Sequence, residues 1–138
     1  GTQEIMKIGT LDSKRDWGYA PEYVEGMWRI LQHKIADDFI LSTNETHSVR
    51  DFITESFKVL NEEILWEGVG LSEVGRLKST NKVVVMVDEV YYRPNEVDLL
   101  IGDYNKAYTE LGWKPKTRFK ALVQKMVQFD FNRLKNIN

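Results

Sequence analysis

The chain has 138 residues and no cysteine, with 42% hydrophobic residues, 29% charged residues and a formal net charge of −2. This is the length and composition of one soluble globular domain, and it excludes a disulfide framework and thiolate chemistry. With two histidines and no cysteine, the chain is a poor candidate for a zinc site. It has neither a bilayer-length apolar run nor a signal-peptide pattern, so we expect no membrane partner. The absence of cysteine fits a reducing compartment, and a cytoplasmic location is expected.

The first third of the chain predicts a short strand, an amphipathic helix and a second strand. Residues 5–8 favour a strand that Gly9 closes, and Pro21 suits the first turn of a helix. The apolar stripe of this helix consists of Tyr23, Val24, Met27 and Leu31. The compact apolar run at residues 38–42 is typical of a buried strand.

The middle of the chain predicts a capped helix followed by two strands. Ser48 is a suitable N-cap, and Asp51 three residues later makes a variant of the capping box. Residues 64–67 favour a short strand, and the valine-rich residues 82–87 give the strongest strand signal in the sequence. Between them, residues 68–82 are polar and contain glycine, which predicts an exposed loop.

The last part of the chain predicts two helices. Asp103 is expected to cap one that ends at Gly112, and a longer one starts near Thr117. Residues 114–138 hold seven Lys/Arg and one acid, a net charge of +6, which is compatible with nucleic acid or membrane binding. Apolar residues repeat at helical spacing along the same stretch, so we interpret the lysines as the solvated face of a surface helix and expect no nucleic-acid partner. Strands and helices alternate, which indicates a mixed α/β fold.

Three arginines lie beside turns or element boundaries, where side chains converge on ligands: Arg15, Arg50 and Arg93. A guanidinium stays charged and binds two oxygens at once, as a diphosphate requires. Trp17 and Tyr92 are candidates for the wall of a base or sugar pocket, and Glu96 is a candidate acceptor for sugar hydroxyls. The residues alone leave open the alternative that these arginines make surface ion pairs and that Trp17 belongs to the core.

Two segments resemble a known enzyme family. Residues 9–28, GTLDSKRDWGYAPEYVEGMW, and residues 90–117, VYYRPNEVDLLIGDYNKAYTELGWKPKT, are similar to motifs of GDP-mannose 4,6-dehydratases, which are extended short-chain dehydrogenases/reductases that use NADP. HSVRDF and LWEGVGLSEVG also fit, so the resemblance covers nearly the whole chain. The chain departs from the family pattern at Thr10, where asparagine is usual, and at residues 89–90, where a proline and a basic residue are common.

The resemblance implies a mixed α/β substrate-binding part of such an enzyme without the complete Rossmann domain. Residues 1–138 would form the carboxy-terminal substrate-binding region, and the amino-terminal NADP-binding catalytic half would be absent. NADP is then the cofactor of the full-length enzyme and is not expected to bind this chain alone. The segments at 22–33 and 38–42 would normally cover the missing half, so we expect exposed apolar surface that leads to self-association or poor order.

Roles in substrate binding also follow from the resemblance. Arg15 and Arg93 match arginines expected at the diphosphate of GDP-mannose, and Glu96 matches a glutamate expected at hydroxyls of the nucleotide sugar. Arg50 lies in a matching motif with an open role, and Trp17 follows the Arg-Asp pair as a candidate pocket wall. The substrate would be GDP-mannose, and the full enzyme is expected to be a homo-oligomer.

The activity implied for the full enzyme is conversion of GDP-mannose to GDP-4-keto-6-deoxymannose by hydride transfer through NADP and loss of water. The family's glycine-rich loop and its Tyr-x-x-x-Lys, Thr/Ser and Glu residues lie before the matching region, so we expect no dehydratase activity from this chain alone. Two alternatives remain: part of another nucleotide-sugar epimerase or dehydratase, or a non-catalytic nucleotide-sugar-binding module.

Overall fold

The computed structural model describes residues 3–93, 97 and 99–136. The strands are β1 (Met6–Ile8), β2 (Lys14–Arg15), β3 (His47–Ser48), β4 (Ile64–Glu67), β5 (Val74–Leu77) and β6 (Val83–Val87). The α-helices are α1 (Ala20–Gln32), α2 (Val49–Val59), α3 (Asn105–Leu111) and α4 (Phe119–Lys135). Short 3₁₀ turns lie at Gly70–Ser72 and Glu89–Tyr91. The mixed α/β class predicted from the sequence is confirmed.

A four-stranded sheet with the order β1-β6-β5-β4 supports one side of the molecule. Strands β4, β5 and β6 form an antiparallel meander, and β1 joins the other edge of β6 in parallel. Helix α2 begins with the predicted capping box, in which Ser48 and Asp51 exchange side-chain and backbone hydrogen bonds. It packs on the sheet around a buried apolar cluster formed by Leu11, Ile53, Ile64, Val85 and Val87.

The exposed loop predicted for residues 68–82 is wrong, because its centre is strand β5. This strand pairs with β4 on one side and with β6 on the other. Gly75, which favours a turn in a local interpretation, lies inside the strand, where an added Cβ would come within 2.9 Å of the Ile64 side chain. The glycine therefore allows close packing of Ile64 and Trp66 against the strand, and it does not mark a turn.

The buried strand predicted for residues 38–42 is also wrong. The segment has no regular secondary structure and is paired with no strand among the described residues, and its Ile40 side chain is exposed. A strand exists only where a neighbour satisfies its backbone groups, and an apolar run cannot supply that neighbour by itself. The end of the segment is held differently: the Asp16 carboxylate accepts hydrogen bonds from the Thr43 amide at 2.8 Å and from its hydroxyl at 2.7 Å.

Glu22 connects the start of α1 to the entrance of α4. Its carboxylate accepts hydrogen bonds from the Lys116 amide at 2.9 Å, the Thr117 amide at 3.1 Å and the Thr117 hydroxyl at 2.6 Å. Gly112 ends α3 in the left-handed conformation, with φ of 65°, as predicted. Helix α4 begins at Phe119, two residues after the predicted start, because Thr117 is engaged by this carboxylate.

We predict that Glu22 makes stability depend on pH at the acid end. Burial opposes its ionisation, but the hydrogen bonds from Thr117 and Lys116 outweigh burial and lower the pKa of Glu22 below its ordinary value. A lowered pKa in the folded state contributes stability that is complete above the ordinary carboxyl pKa and is lost as the pH falls through the folded-state value. Glu22→Gln should cost about 1–2 kcal/mol at neutral pH because the acceptor loses its charge.

Melting temperatures of Glu22→Gln and the unsubstituted chain, measured from neutral pH to about pH 3, test this prediction, since the range spans the usual carboxyl pKa. The gap between the two proteins should shrink as the pH falls. The matched control is Glu110→Gln, the same substitution at an exposed position on α3, which should show no such gap. A gap that stays constant over the whole pH range would contradict the linkage.

Helix α1 leaves a broad apolar surface uncovered, as expected. We call this surface the α1 face; its exposed side chains are Val24, Met27, Trp28 and Leu31. Leu31 is 80% exposed and Trp28 is 61% exposed, far more than apolar residues of a packed helix. Among the residues that the structure describes, no helix is long and apolar enough to cross a membrane.

Helix α4 follows the predicted apolar stripe but buries only its first turns. Phe119, Leu122 and Val123 are buried. Met126, Phe131 and Leu134 remain partly exposed. The reason is length, because α4 has 17 residues and its packing partner α2 has 11. The lysines of α4 at positions 120, 125 and 135 are exposed, in agreement with a solvated face.

Candidate functional site

Arg15 lies on a two-stranded ribbon beside the segment that follows Arg93. Strand β2 pairs antiparallel with β3, so Arg15 is opposite His47. The preceding residue, Lys14, also makes a parallel bridge to Leu99. Arg15 Nη1 donates hydrogen bonds to the carbonyl oxygen of Val97 at 2.6 Å and to that of Lys14 at 2.8 Å. The Arg15 guanidinium thus fastens the chain after Arg93 to the ribbon.

Arg93 is exposed near the end of the 3₁₀ turn at Glu89–Tyr91. Among the described residues, none pairs with or hydrogen-bonds to its guanidinium. Only four residue steps separate Arg93 from Val97, so their Cα atoms lie within about 14 Å of each other. This distance is short enough for Arg15 and Arg93 to contact one ligand, which stays a prediction. The third predicted ligand, Glu96, lies outside the described residues.

Gly9 lets the backbone after β1 lie against the backbone of the segment that precedes Arg93. It follows β1, whose Ile8 carbonyl accepts a hydrogen bond from the Asp88 amide at 2.8 Å. A Cβ on Gly9 would overlap the backbone carbonyl of Tyr91. The glycine at this position in the matching motif thus permits the close passage of the segment that leads to Arg93. Tyr92, proposed as a pocket wall, is exposed in this segment.

Trp17 packs within an aromatic cluster. Its indole N–H donates to the carbonyl oxygen of His47 at 3.1 Å, and its ring lies 4.9 Å from that of Phe52. The His47 ring stacks on Phe119 with centroids 3.7 Å apart. Packing and this hydrogen bond account for the position of Trp17. Its predicted role as a wall of the substrate pocket stays a prediction.

Arg50 is held by two carboxylates and an aromatic face. Its Nε and Nη2 donate to Asp12 Oδ1 at 3.0 and 2.8 Å, and its Nη1 pairs with Glu73 Oε1. The guanidinium carbon lies 5.0 Å from the centre of the Trp66 ring. The hydrogen bond to Glu73 is the main reason that the pKa of Arg50 is raised above its ordinary value. The expected role of Arg50 in substrate binding stays a prediction.

Two clefts lie next to the ribbon and share Asp16 and Tyr23. One, of about 400 Å³, runs between residues 40–42 and residues 100–102. The other, of about 340 Å³, opens along the start of α1 and reaches Met27 on the α1 face. Burial, followed by the charges of Asp16 and Glu22, raises the pKa of Tyr23 to about 12. Its hydroxyl is therefore protonated at neutral pH and is a poor base there.

Three carboxylates that organise this region were missed from the sequence. Asp12 and Glu73 hold Arg50 across 38 and 23 residues of sequence, and Asp16 holds Thr43 across 27. No local pattern connects such pairs, because the ribbon and the sheet bring them together. The only available signal was that Asp12 and Asp16 flank Arg15 in the matching motif.

The described residues do not fit a dinucleotide cofactor. Such a cofactor needs a glycine-rich turn between a strand and the start of an α-helix. The glycines with positive φ after β4, Gly68 and Gly70, lead instead into a 3₁₀ turn and then β5. The described part of the chain also contains no cluster of three or more His or acidic residues able to hold a metal ion. No tyrosine is followed by a lysine four residues later.

The fold occurs as one section of larger solved proteins. A structure of RMD from Pseudomonas aeruginosa complexed with NADPH superposes with a TM-score of 0.66 at 14% identity, covering 91% of this chain and 35% of that one. UDP-glucose 4-epimerase from Thermotoga maritima, solved with UDP-glucose, gives a TM-score of 0.67 at 18% identity, covering 94% of this chain and 36% of that one. These likenesses show the fold of one section of such proteins.

Comparison with known sequences identifies the family more specifically than comparison of folds does. The GDP-mannose 4,6 dehydratase of Homo sapiens is 51% identical over 130 residues, which are 94% of this chain and 35% of the human protein. That of Sinorhizobium fredii is 44% identical over 135 residues, 98% of this chain and 38% of its own length. The chain thus spans little more than a third of the relatives it matches. A family model described as GDP-mannose 4,6 dehydratase matches residues 1–126. The chain belongs to the GDP-mannose 4,6 dehydratase family.

Proposed function

We propose that this chain binds the nucleoside diphosphate of GDP-mannose as the substrate-binding section of a GDP-mannose 4,6-dehydratase, which converts GDP-mannose to GDP-4-keto-6-deoxymannose. The observation that carries the proposal is the hydrogen bond from Arg15 to the Val97 carbonyl, which holds the Arg93 segment beside the ribbon. This contact supports a shared role for two arginines whose motifs are 78 residues apart. The relatives named as GDP-mannose 4,6 dehydratases support the choice of substrate.

The charges suit a diphosphate. Guanidinium groups donate paired hydrogen bonds to phosphate oxygens, and Arg93 is exposed, so a ligand can reach it. We propose that Arg15 keeps its Val97 contact and reaches the same ligand. Glu96 is three residues after Arg93. Its place in the family motif implies that it accepts hydrogen bonds from hydroxyls of the nucleotide sugar.

The remaining parts of the activity belong to the rest of a longer protein. NADP is the proposed cofactor of that protein, bound outside this chain, and one solved protein of similar fold holds NADPH. We propose that residues 1–138 form the carboxy-terminal substrate-binding region and that the α1 face packs on the cofactor-binding half. The whole protein is proposed to be a cytoplasmic homo-oligomer, and this chain alone is proposed to be catalytically inactive.

Calorimetric titration of the purified chain with GDP-mannose, with UDP-glucose as the comparison ligand, tests the proposal. We expect saturable binding of GDP-mannose only. Arg93→Ala should weaken it by roughly tenfold or more, because a hydrogen bond to a charged group is worth about 1.5–3 kcal/mol. The matched control is Arg133→Ala, an exposed arginine near the end of α4, which should bind normally.

The outcomes separate the alternatives. Equal binding of UDP-glucose would favour the epimerase-like function of the structural neighbours. Unchanged affinity in Arg93→Ala would contradict the assigned site. Absence of heat with either ligand would contradict autonomous binding by this chain and would mean that the site requires the rest of the protein.

A further inference from the structure

Arg50 joins three separate parts of the chain. Its backbone N–H donates to the Leu11 carbonyl oxygen at 2.9 Å, and its guanidinium binds Asp12, so the loop between β1 and β2 is held at two points. The same guanidinium pairs with Glu73 at the start of β5 and lies over Trp66 of β4. Arg50 itself is in the first turn of α2, which the capping box keeps rigid.

The partners of Arg50 differ in burial, and this indicates which of them is held in place. The Glu73 side chain is 10% exposed, and its backbone carbonyl oxygen accepts from the Val87 amide at 3.0 Å, so Glu73 is part of the sheet. The Asp12 side chain is 75% exposed and belongs to a loop. The sheet and α2 therefore form the rigid support for Arg50, and Asp12 is the group whose position Arg50 restrains.

The restrained loop leads directly into the proposed substrate site. Three residues after Asp12, Arg15 on β2 binds the Val97 carbonyl. A displacement of the loop would move Arg15 and, with it, the segment that follows Arg93. Hydrogen bonds from two atoms of one guanidinium to Asp12 fix direction as well as distance, which a lysine at this position would not reproduce.

The charges around Arg50 argue against direct contact with the diphosphate. Two carboxylates already share its donors, so the group as a whole carries a net negative charge. A diphosphate would have to approach both carboxylates or displace the buried Glu73, and like charges at such distances repel.

We propose that Arg50 is a positioning residue, which holds Asp12 against the sheet and so sets the position of Arg15 at the substrate site. The inference rests on the proposed function for its purpose, but the restraint itself is a property of this chain. Arg50 acts through Asp12, and the substrate does not touch it.

Hydrogen exchange of backbone amides, read without ligand, tests the restraint. Asp12→Asn and Arg50→Lys should each make the amides of residues 13–17 exchange roughly tenfold faster. The first removes the negative charge of the ion pair, and the second removes the paired guanidinium hydrogen bonds to Asp12. The amides of α4 should be unaffected, which distinguishes local release from general unfolding. The control is Arg76→Lys, which alters an ion pair with Glu67 on the other side of the sheet and should leave residues 13–17 unchanged. Unchanged exchange in Asp12→Asn would overturn the proposal.

The affinity of Asp12→Asn for GDP-mannose gives a second test. It should change in opposite directions if Arg50 is a diphosphate ligand and if Arg50 is a positioning residue. If Arg50 were a diphosphate ligand, removing a competing carboxylate would release its donors and strengthen binding. A positioning role predicts binding weakened by roughly three- to tenfold, because Arg15 loses its alignment. Stronger binding would overturn the proposal. If no variant binds GDP-mannose, the exchange result still decides the restraint, and the proposed function alone is contradicted.

Discussion

Replacing Trp113 with alanine is expected to destabilise the folded chain by about 3–5 kcal/mol, the cost of removing a large buried aromatic side chain. Trp113 is 2% exposed and comes directly after the Gly112 that ends α3. Its indole N–H donates to the Glu22 carbonyl oxygen at 2.7 Å, and its ring meets Tyr23 edge-on at 5.7 Å. Single domains are stable by about 5–15 kcal/mol, so this loss is a large part of the total.

Urea denaturation followed by circular dichroism measures the effect. The matched control is Trp28→Ala, which removes the same side chain from the α1 face, where it is 61% exposed. At concentrations where the chain is monomeric, that substitution should change the free energy of unfolding by less than about 0.5 kcal/mol. Similar losses in both variants would contradict the packing of Trp113 that the structure describes.

The second large effect concerns the α1 face. We expect the chain to self-associate with rising concentration, because this face exposes Met27, Trp28 and Leu31 together. The double substitution Trp28→Glu with Leu31→Glu should weaken association by roughly a hundredfold or more, since burying each side chain contributes about 1.5–3 kcal/mol. Sedimentation equilibrium over a range of concentrations gives the dissociation constants.

A control variant separates the α1 face from other exposed apolar groups. Phe129→Glu introduces one such carboxylate at an exposed aromatic on α4, and it should leave association unchanged. If Phe129→Glu abolished association and the double variant did not, the contact would be on α4. A chain that stays monomeric at every concentration and melts sharply would contradict the expectation altogether.

Local signals in the sequence predicted the elements that depend on local contacts. The strand at residues 64–67, the valine-rich strand β6, the capping box of α2 and the end of α3 at Gly112 are confirmed. Each was predicted from residues within a few positions of one another: a run of apolar or β-branched residues, a cap that bonds to the backbone three residues on, or a glycine that tolerates positive φ. The family motifs likewise identified the chain, and the comparisons confirm that assignment.

Prediction failed where a partner distant in sequence decides the outcome. Residues 74–77 form a strand because β4 and β6 flank them, although their local composition favours a loop. Residues 38–42 have the composition of a strand but lack a paired neighbour in the described part of the chain. Backbone hydrogen bonding in a sheet is satisfied between segments, so a strand depends on its neighbours as much as on its own residues.

Some features of the candidate site were likewise predictable from the sequence, and others required the structure. The sequence by itself determined the family, the α/β class and the arginines of interest, because guanidinium chemistry and motif spacing can be recognised in one dimension. Only the tertiary structure decided that Arg15 fastens the Val97 carbonyl and that Arg50 is occupied by Asp12 and Glu73. These contacts join residues 23 to 82 positions apart. Side-chain type determines what a group can bind, and the fold determines which partner is within a hydrogen-bond distance.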